Sequence, residues 1–355
     1  MSDTNAESGT IDISGLAKSP DLYPHTILPQ RQDVFVIRLS QAGYRAASFL
    51  DNRVITKDTP RGIVRESEVL KALEEGVDAR PLHFIFHCGH VGSTLLSRLL
   101  DETEQVLPLR EPLPLRMLAD GYSTLSRREP PISEARLDGY LEMLLKLWSR
   151  GYPDTRAVIA KATSSTARIA SRLFKARPNA RAVYMNLQAE PYLATLMAGA
   201  NSILDLKGFA PERALRLEGY LGISLPPVHL IAGGELAAMS WLTERLTEKK
   251  LLSEFGSRVM PLDFDDMLND VKGTLERVTG HFQMKVDSKY FEGIAQSPEL
   301  KRYSKDPEHE YSPELRNQLL TETRKEKDVD IKKGLAWLEK IAAKHADVAE
   351  LLKPA

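Results

Sequence analysis

The stretch HFIFHCGHVGSTLLSRLLDE, residues 83–102, sets an apolar run against two glycines three apart and a hydroxyl pair, and then a leucine-striped helix. Phe84, Ile85 and Phe86 read as a buried strand, while Leu95, Leu96, Leu99 and Leu100 recur at helical spacing. Gly89 and Gly92 admit positive φ and close backbone approach, and Ser93 and Thr94 bring hydroxyls beside the unpaired N–H groups of a first helical turn. Such a turn, at the carboxyl end of a strand and the amino end of a helix, is a nest for an anion, most often phosphate. A plain strand-to-helix turn capped by Ser93 or Thr94 has the same letters; the surroundings decide between the two.

Working outward, buried-strand patterns fall at LHFIFH (82–87), VLPLRE (106–111), RAVIAKA (156–162), ARAVYMN (180–186) and SRVMPLDF (257–264), each followed by a helical segment. Short apolar strands alternating with helices fit an α/β fold, a parallel sheet covered on both faces by right-handed crossovers. Helices over 133–150, 189–200, 233–254 and 329–345 form the cover. In such a sheet ligands bind beyond the carboxyl ends of the strands, where residues 88–94 lie.

Upstream, residues 1 to about 30, with prolines at 20, 24 and 29, read as a loose lead-in. DVFVIRL (33–39) is expected as a strand, SQAGYRAASFL as a helix capped by Ser40, RVIT as another strand, and ESEVLKALEEG (66–76) as a helix stopped at Gly76. The division is a small N-terminal α+β extension over 1–78 and a main domain over 79–355. The stretch 297–316, rich in charge, tyrosine and proline, reads as an ordered surface loop or a flap near a site.

Composition narrows the field. The 355 residues are 42% hydrophobic and their charges nearly cancel, to −1. Any basic site is therefore local, and neither nucleic acid nor a membrane is suggested as a partner. The single cysteine, Cys88, excludes an internal disulfide and a multi-cysteine zinc site. MSDTNAESGT has no signal-peptide character, and no uncharged apolar run approaches the ~20 residues that span a bilayer, so a soluble, cytoplasmic protein is expected. His83 and His87 lack metal-ligand spacing, so no metal is expected. Cys88, near a helix start, is expected to have a lowered thiol pKa. Trp241 is read as core.

The loop does not match G-x-x-x-x-G-K-[ST]: laid over that pattern, His87 stands at the first glycine and Ser93 at the lysine. Instead His90-Val91-Gly92-Ser93-Thr94-Leu95-Leu96 resembles the 5′-phosphosulfate-binding loop of sulfotransferases, roughly [RK]-S-G-[ST]-[ST]-L-L. The similarity runs over about 80–285. It implies a three-layer, P-loop-like domain and a transferase that moves a sulfuryl group from 3′-phosphoadenosine 5′-phosphosulfate to the hydroxyl or amine of a small-molecule or peptide acceptor.

Carried over position by position, the resemblance gives Gly89, Val91, Gly92, Ser93, Thr94 and Leu95 to the donor's 5′-phosphosulfate. Glu111 in LREP stands where related enzymes have a glutamate base. Lys161 resembles the lysine that ends the family's third strand, and it shares the leaving-group charge with His90. Asp265 and Asp266 match a late acidic pair, which the helix dipole also explains.

Two departures stand out. The loop cation is His90, an imidazole that titrates near pH ~6.5 when unperturbed. The family's Arg-Asp-Pro, whose arginine holds the donor's 3′-phosphate, falls on Leu187, Gln188 and Ala189, with Thr195 at the following serine. Arg302, Tyr303 and Lys305 of KRYSK, together with Lys301, are the candidate replacements. Two other functions therefore remain open: an ATP- and Mg²⁺-dependent phosphotransferase with Asp263 or Asp265 near the metal, and a non-catalytic nucleotide-binding protein.

Overall fold

The computed structural model describes residues 11–302 and 312–353. Three antiparallel strands, β1 (Leu22–Leu28), β2 (Asp33–Arg38) and β3 (Arg61–Arg65), form a first sheet in the order β1-β2-β3. The lead-in expected up to residue 30 is thus a strand from Leu22. Pro24 is tolerated because β1 is an edge strand with a register shift between Pro24 and Thr26. RVIT is not a strand: Asn52–Val54 is a 3₁₀ turn whose start is fixed by the Asp51 carboxylate accepting from the Arg53 N–H at 3.0 Å. Ser40 caps Gln41–Ala46 as expected, accepting from the Gly43 N–H.

The second sheet holds β4 (Leu82–His87), β5 (Val106–Arg110), β6 (Ala157–Lys161), β7 (Ala182–Asn186) and β8 (Val259–Asp263). All five run parallel, in the order β5-β6-β4-β7-β8. Every residue of β4 through β7 is buried, which is why these strands read as apolar runs rather than alternations. Alternation survives in which face each side chain joins. Phe84 and Phe86 enter one hydrophobic cluster with Val158, Ala160 and Tyr184; Ile85, Ile159, Val183 and Met185 enter the other.

The first cluster extends from the sheet through Trp148 of the helix Glu134–Trp148 into Leu22, Val36 and Tyr44 of the N-terminal unit. The second is covered by Ser93–Asp101, Ala189–Ala198, Ala200–Leu221, Gly233–Phe255 and Asp328–Ala342. Trp241 is core as expected, and its indole N–H donates to the Leu187 carbonyl at 2.8 Å. Among the described residues no helix is long and apolar enough to cross a membrane.

Two buried arginines join the N-terminal unit to the rest. Arg110, at the end of β5, donates to the carbonyls of Tyr44, Arg45 and Ala47, to Ser97 Oγ, and to Asp101. Arg150 donates to the carbonyls of Leu16, Ser19, Leu22 and Leu147. The Leu50 N–H donates to the Arg110 carbonyl at 2.6 Å, and the Leu50 carbonyl accepts from Leu113 at 3.1 Å. These bonds hold residues 49–53 at the carboxyl end of the parallel sheet.

Of the stretch 297–316, Pro298–Lys301 is a 3₁₀ turn and Pro313–Glu326 a helix capped by Ser312; residues 303–311 lie outside the described residues.

Candidate active site

The turn after β4 is built as an anion nest would be. Gly89, His90 and Gly92 have φ of +101°, +57° and +68°, and the helix Ser93–Asp101 begins at once, its first backbone bond running from Leu96 N–H to the Gly92 carbonyl at 3.0 Å. The N–H groups of Ser93, Thr94 and Leu95 precede that bond and have no intrahelical acceptor. Thr94 is 2% exposed, and its Oγ1 finds no hydrogen-bond partner among the described residues.

Glycine at 92 is required twice over. Its φ lies in the left-handed region, and an added Cβ would sit 2.1 Å from the ring of Phe264, which closes one side of the turn. Phe264 opens the helix Phe264–Asn269 after β8. The cysteine expectation is overturned: Cys88 is fully buried, and desolvation pushes its thiol well above the ordinary value despite the helix start nearby. Its carbonyl accepts from the Tyr192 hydroxyl at 2.7 Å.

Glu111 and Lys161 meet at the next two strand ends. Glu111 follows β5 with φ +53°, an uncommon value for a residue with a side chain, and its N–H donates to the Lys161 carbonyl at 2.6 Å. The Lys161 ammonium, 0% exposed at the end of β6, donates to Glu111 Oε1, and Thr163 Oγ1 lies 3.4 Å from Oε2. Ile85 of β4 is in register with Lys161, the Ala162 N–H donates to the Ile85 carbonyl, and His87 Nε2 is 2.8 Å from the Ala162 oxygen. The pair and the anion turn are therefore neighbours across one strand boundary.

Gly89, His90, Glu111 and Thr163 line a common cavity of about 280 Å³. Lys161, expected to share the leaving-group charge with His90, has its ammonium bonded to the Glu111 carboxylate. Thr195 Oγ1 donates to the Pro191 carbonyl of its own helix at 2.8 Å, and Arg302 is bonded to Glu299. Tyr303 and Lys305 lie outside the described residues. Asp263 accepts from the N–H groups of Asp265 and Asp266, capping their helix, and desolvation raises its pKa. Among the described residues no three His, Cys, Asp or Glu side chains are grouped to hold a metal.

Several site residues carry no sequence signal. Phe49, Asp51 and Arg53 reach the cavity from the N-terminal unit, and Arg213 from the helix Ala200–Leu221. Arg316, on Pro313–Glu326, lies 5.1 Å from the Phe264 ring centroid and 2.8 Å from Asp265. It is the described C-terminal cation that packs against the residue closing the turn, in the region where the sequence pointed to KRYSK.

No protein-family model and no curated protein matches the chain. Solved structures similar to it include a sulfotransferase from Alicyclobacillus acidocaldarius, at 17% identity over 74% of this chain and 96% of that one, TM-score 0.38. Sulfotransferase STF9 from Mycobacterium avium has 13% identity over 73% and 78%, TM-score 0.39. Mouse sulfotransferase SULT7A1, complexed with PAP, has 11% identity over 78% and 94%, TM-score 0.33. At these values the reading of the site rests on this chain's own residues.

Proposed function

We propose that the protein transfers a sulfuryl group from 3′-phosphoadenosine 5′-phosphosulfate to a hydroxyl or amine of an acceptor held in the cavity. The observation that carries this reading is Glu111: held in a left-handed conformation, bonded to a buried ammonium, and facing the same cavity as Gly89 and His90 of the anion nest. Backbone held in uncommon conformations clusters at working sites.

The unpartnered Thr94 hydroxyl and the N–H groups of Ser93, Thr94 and Leu95 fit a tetrahedral anion, and these residues, with Gly89, Val91 and Gly92, would hold the donor's 5′ end. Bound there, the donor supplies the sulfuryl group. Glu111 takes the proton of the attacking hydroxyl or amine, Lys161 fixes the position and charge of that carboxylate, and His90 donates toward the charge that develops at the nest. No cation stands at Leu187, Gln188 or Ala189 for the 3′-phosphate, so Arg316 is the group we assign to that end.

The ATP-dependent alternative is weakened by Ser93 at the lysine position. Calorimetric titration with the product 3′-phosphoadenosine 5′-phosphate and, separately, ATP with Mg²⁺ tests the choice. Binding of the bisphosphate, lost in Gly92→Ala, is the expected result; tighter binding of ATP with Mg²⁺ would overturn it.

A further inference from the structure

We propose that the acceptor is a small anion, its carboxylate or phosphate seated on Arg213. The inference rests on the sulfuryl-transfer reading only in calling this ligand the acceptor; the anion site stands on its own geometry. Arg213 lines the cavity and is 4% exposed, yet its guanidinium donates no hydrogen bond among the described residues. Its nearest carboxylate oxygen is Glu244 Oε1, 3.9 Å from Nε, and Glu244 is already taken by Arg216 at 2.6 Å and the Tyr184 hydroxyl at 3.0 Å. Phe209 lies under the guanidinium, with the ring centroid 5.4 Å away.

Of the other charges on the cavity wall, Asp51, Arg53 and Glu111 are closed in ion pairs, and Asp205 is an exposed carboxylate. Asp51 is bonded to Arg53, and Glu111 to Lys161. Of the lining cations that leaves Arg213, buried, and Arg116, which is exposed. A buried guanidinium whose ion pair is a carboxylate oxygen 3.9 Å away keeps part of its desolvation cost, and a ligand anion that accepts its fork of N–H groups lowers that cost. Ser202 and Ser240, both buried, line the same wall with hydroxyls. At about 280 Å³ the cavity suits a compound the size of a sugar acid or a hydroxybenzoate, below the range of roughly 300–1,000 Å³ usual for drug-sized ligands.

Calorimetry on the full chain tests this with three matched pairs: 4-hydroxybenzoate and its methyl ester, glucuronate and glucose, glycerol 3-phosphate and glycerol. At least one acid is expected to bind roughly tenfold or more tighter than its neutral counterpart, a difference of about 1.4 kcal/mol. Arg213→Gln should abolish that preference while leaving affinity for 3′-phosphoadenosine 5′-phosphate unchanged, and Arg213→Lys should keep most of it. The proposal is overturned if no acid binds, if the neutral partners bind as well, if Arg213→Gln keeps the preference, or if the bisphosphate displaces the acid. Acid preference without any nucleotide binding sustains the anion site and removes the sulfuryl-transfer reading instead.

Discussion

Arg150 and Arg213 are both buried, on opposite sides of the molecule's purpose. Arg150 lies between the N-terminal unit and the helix Glu134–Trp148, with its donors spent on four backbone carbonyls. Arg213 lies on the cavity wall with none of its donors spent. Burial alone thus says nothing of role. Where the protein itself supplies every acceptor, the arginine ties two parts of the chain together; where it does not, the missing acceptor belongs to a ligand.

That contrast is broken most directly at Arg150. Removing it leaves three buried carbonyls and the half-buried Ser19 carbonyl without this donor, so Arg150→Ala should cost about 3–5 kcal/mol of stability, read as a fall in urea midpoint at unchanged slope. An effect below about 1 kcal/mol would mean that the tie is ornamental. At the cavity, Glu111→Gln keeps the shape and removes the base. Turnover should fall about 10²- to 10³-fold with nucleotide affinity unchanged, and wild-type turnover in the variant would take Glu111 out of the chemistry. Gly92→Ala forces a Cβ onto Phe264 and strains the turn, which should cost about 1–3 kcal/mol together with the nucleotide affinity; intact binding would show that the nest is not the anion site.

The amino ends of the strands offer a pH test remote from the cavity. His83 is 3% exposed, stacks on Phe282 with centroids 5.1 Å apart, and accepts from the Arg181 N–H through Nδ1 at 3.1 Å. Burial, then the nearby His281 and Arg181, lower its pKa to about 4. Native His83 is neutral, whereas the unfolded imidazole gains a proton below pH ~6.5, so stability should fall as pH drops from there toward 4. Between pH 6.5 and 5 the loss is at most about 2 kcal/mol, and His83→Asn should flatten it; an unchanged slope in that variant would refute the assignment. The smallest effect is expected at Arg213→Gln, within about 1 kcal/mol of wild type or slightly stabilising, because the residue gives up no hydrogen bond within the protein.

Much of the fold was legible because burial on both faces writes itself as apolar runs: β4 through β7 fall where LHFIFH, VLPLRE, RAVIAKA and ARAVYMN were read, and the partly exposed β8 falls within SRVMPLDF. The strand β1 was not, since three nearby prolines suggested a loop and an edge strand asks little of its N–H groups. The placement of the turn 87–94, Glu111 and Lys161 at strand ends was legible from apolar runs and glycines. What Thr195 and Arg302 bond, here the Pro191 carbonyl and Glu299, depends on neighbours that no spacing announces.

By itself the sequence determined where strands end and helices begin, and so where backbone N–H groups lie open to an anion, because those choices are made by residues a few positions apart. Only the tertiary structure decided which buried charges were satisfied. The acceptors of Arg110 and Arg150, the ammonium behind Glu111, and the open guanidinium of Arg213 are set by contacts between distant segments, and hydrogen bonds at that range leave no periodic trace in the chain.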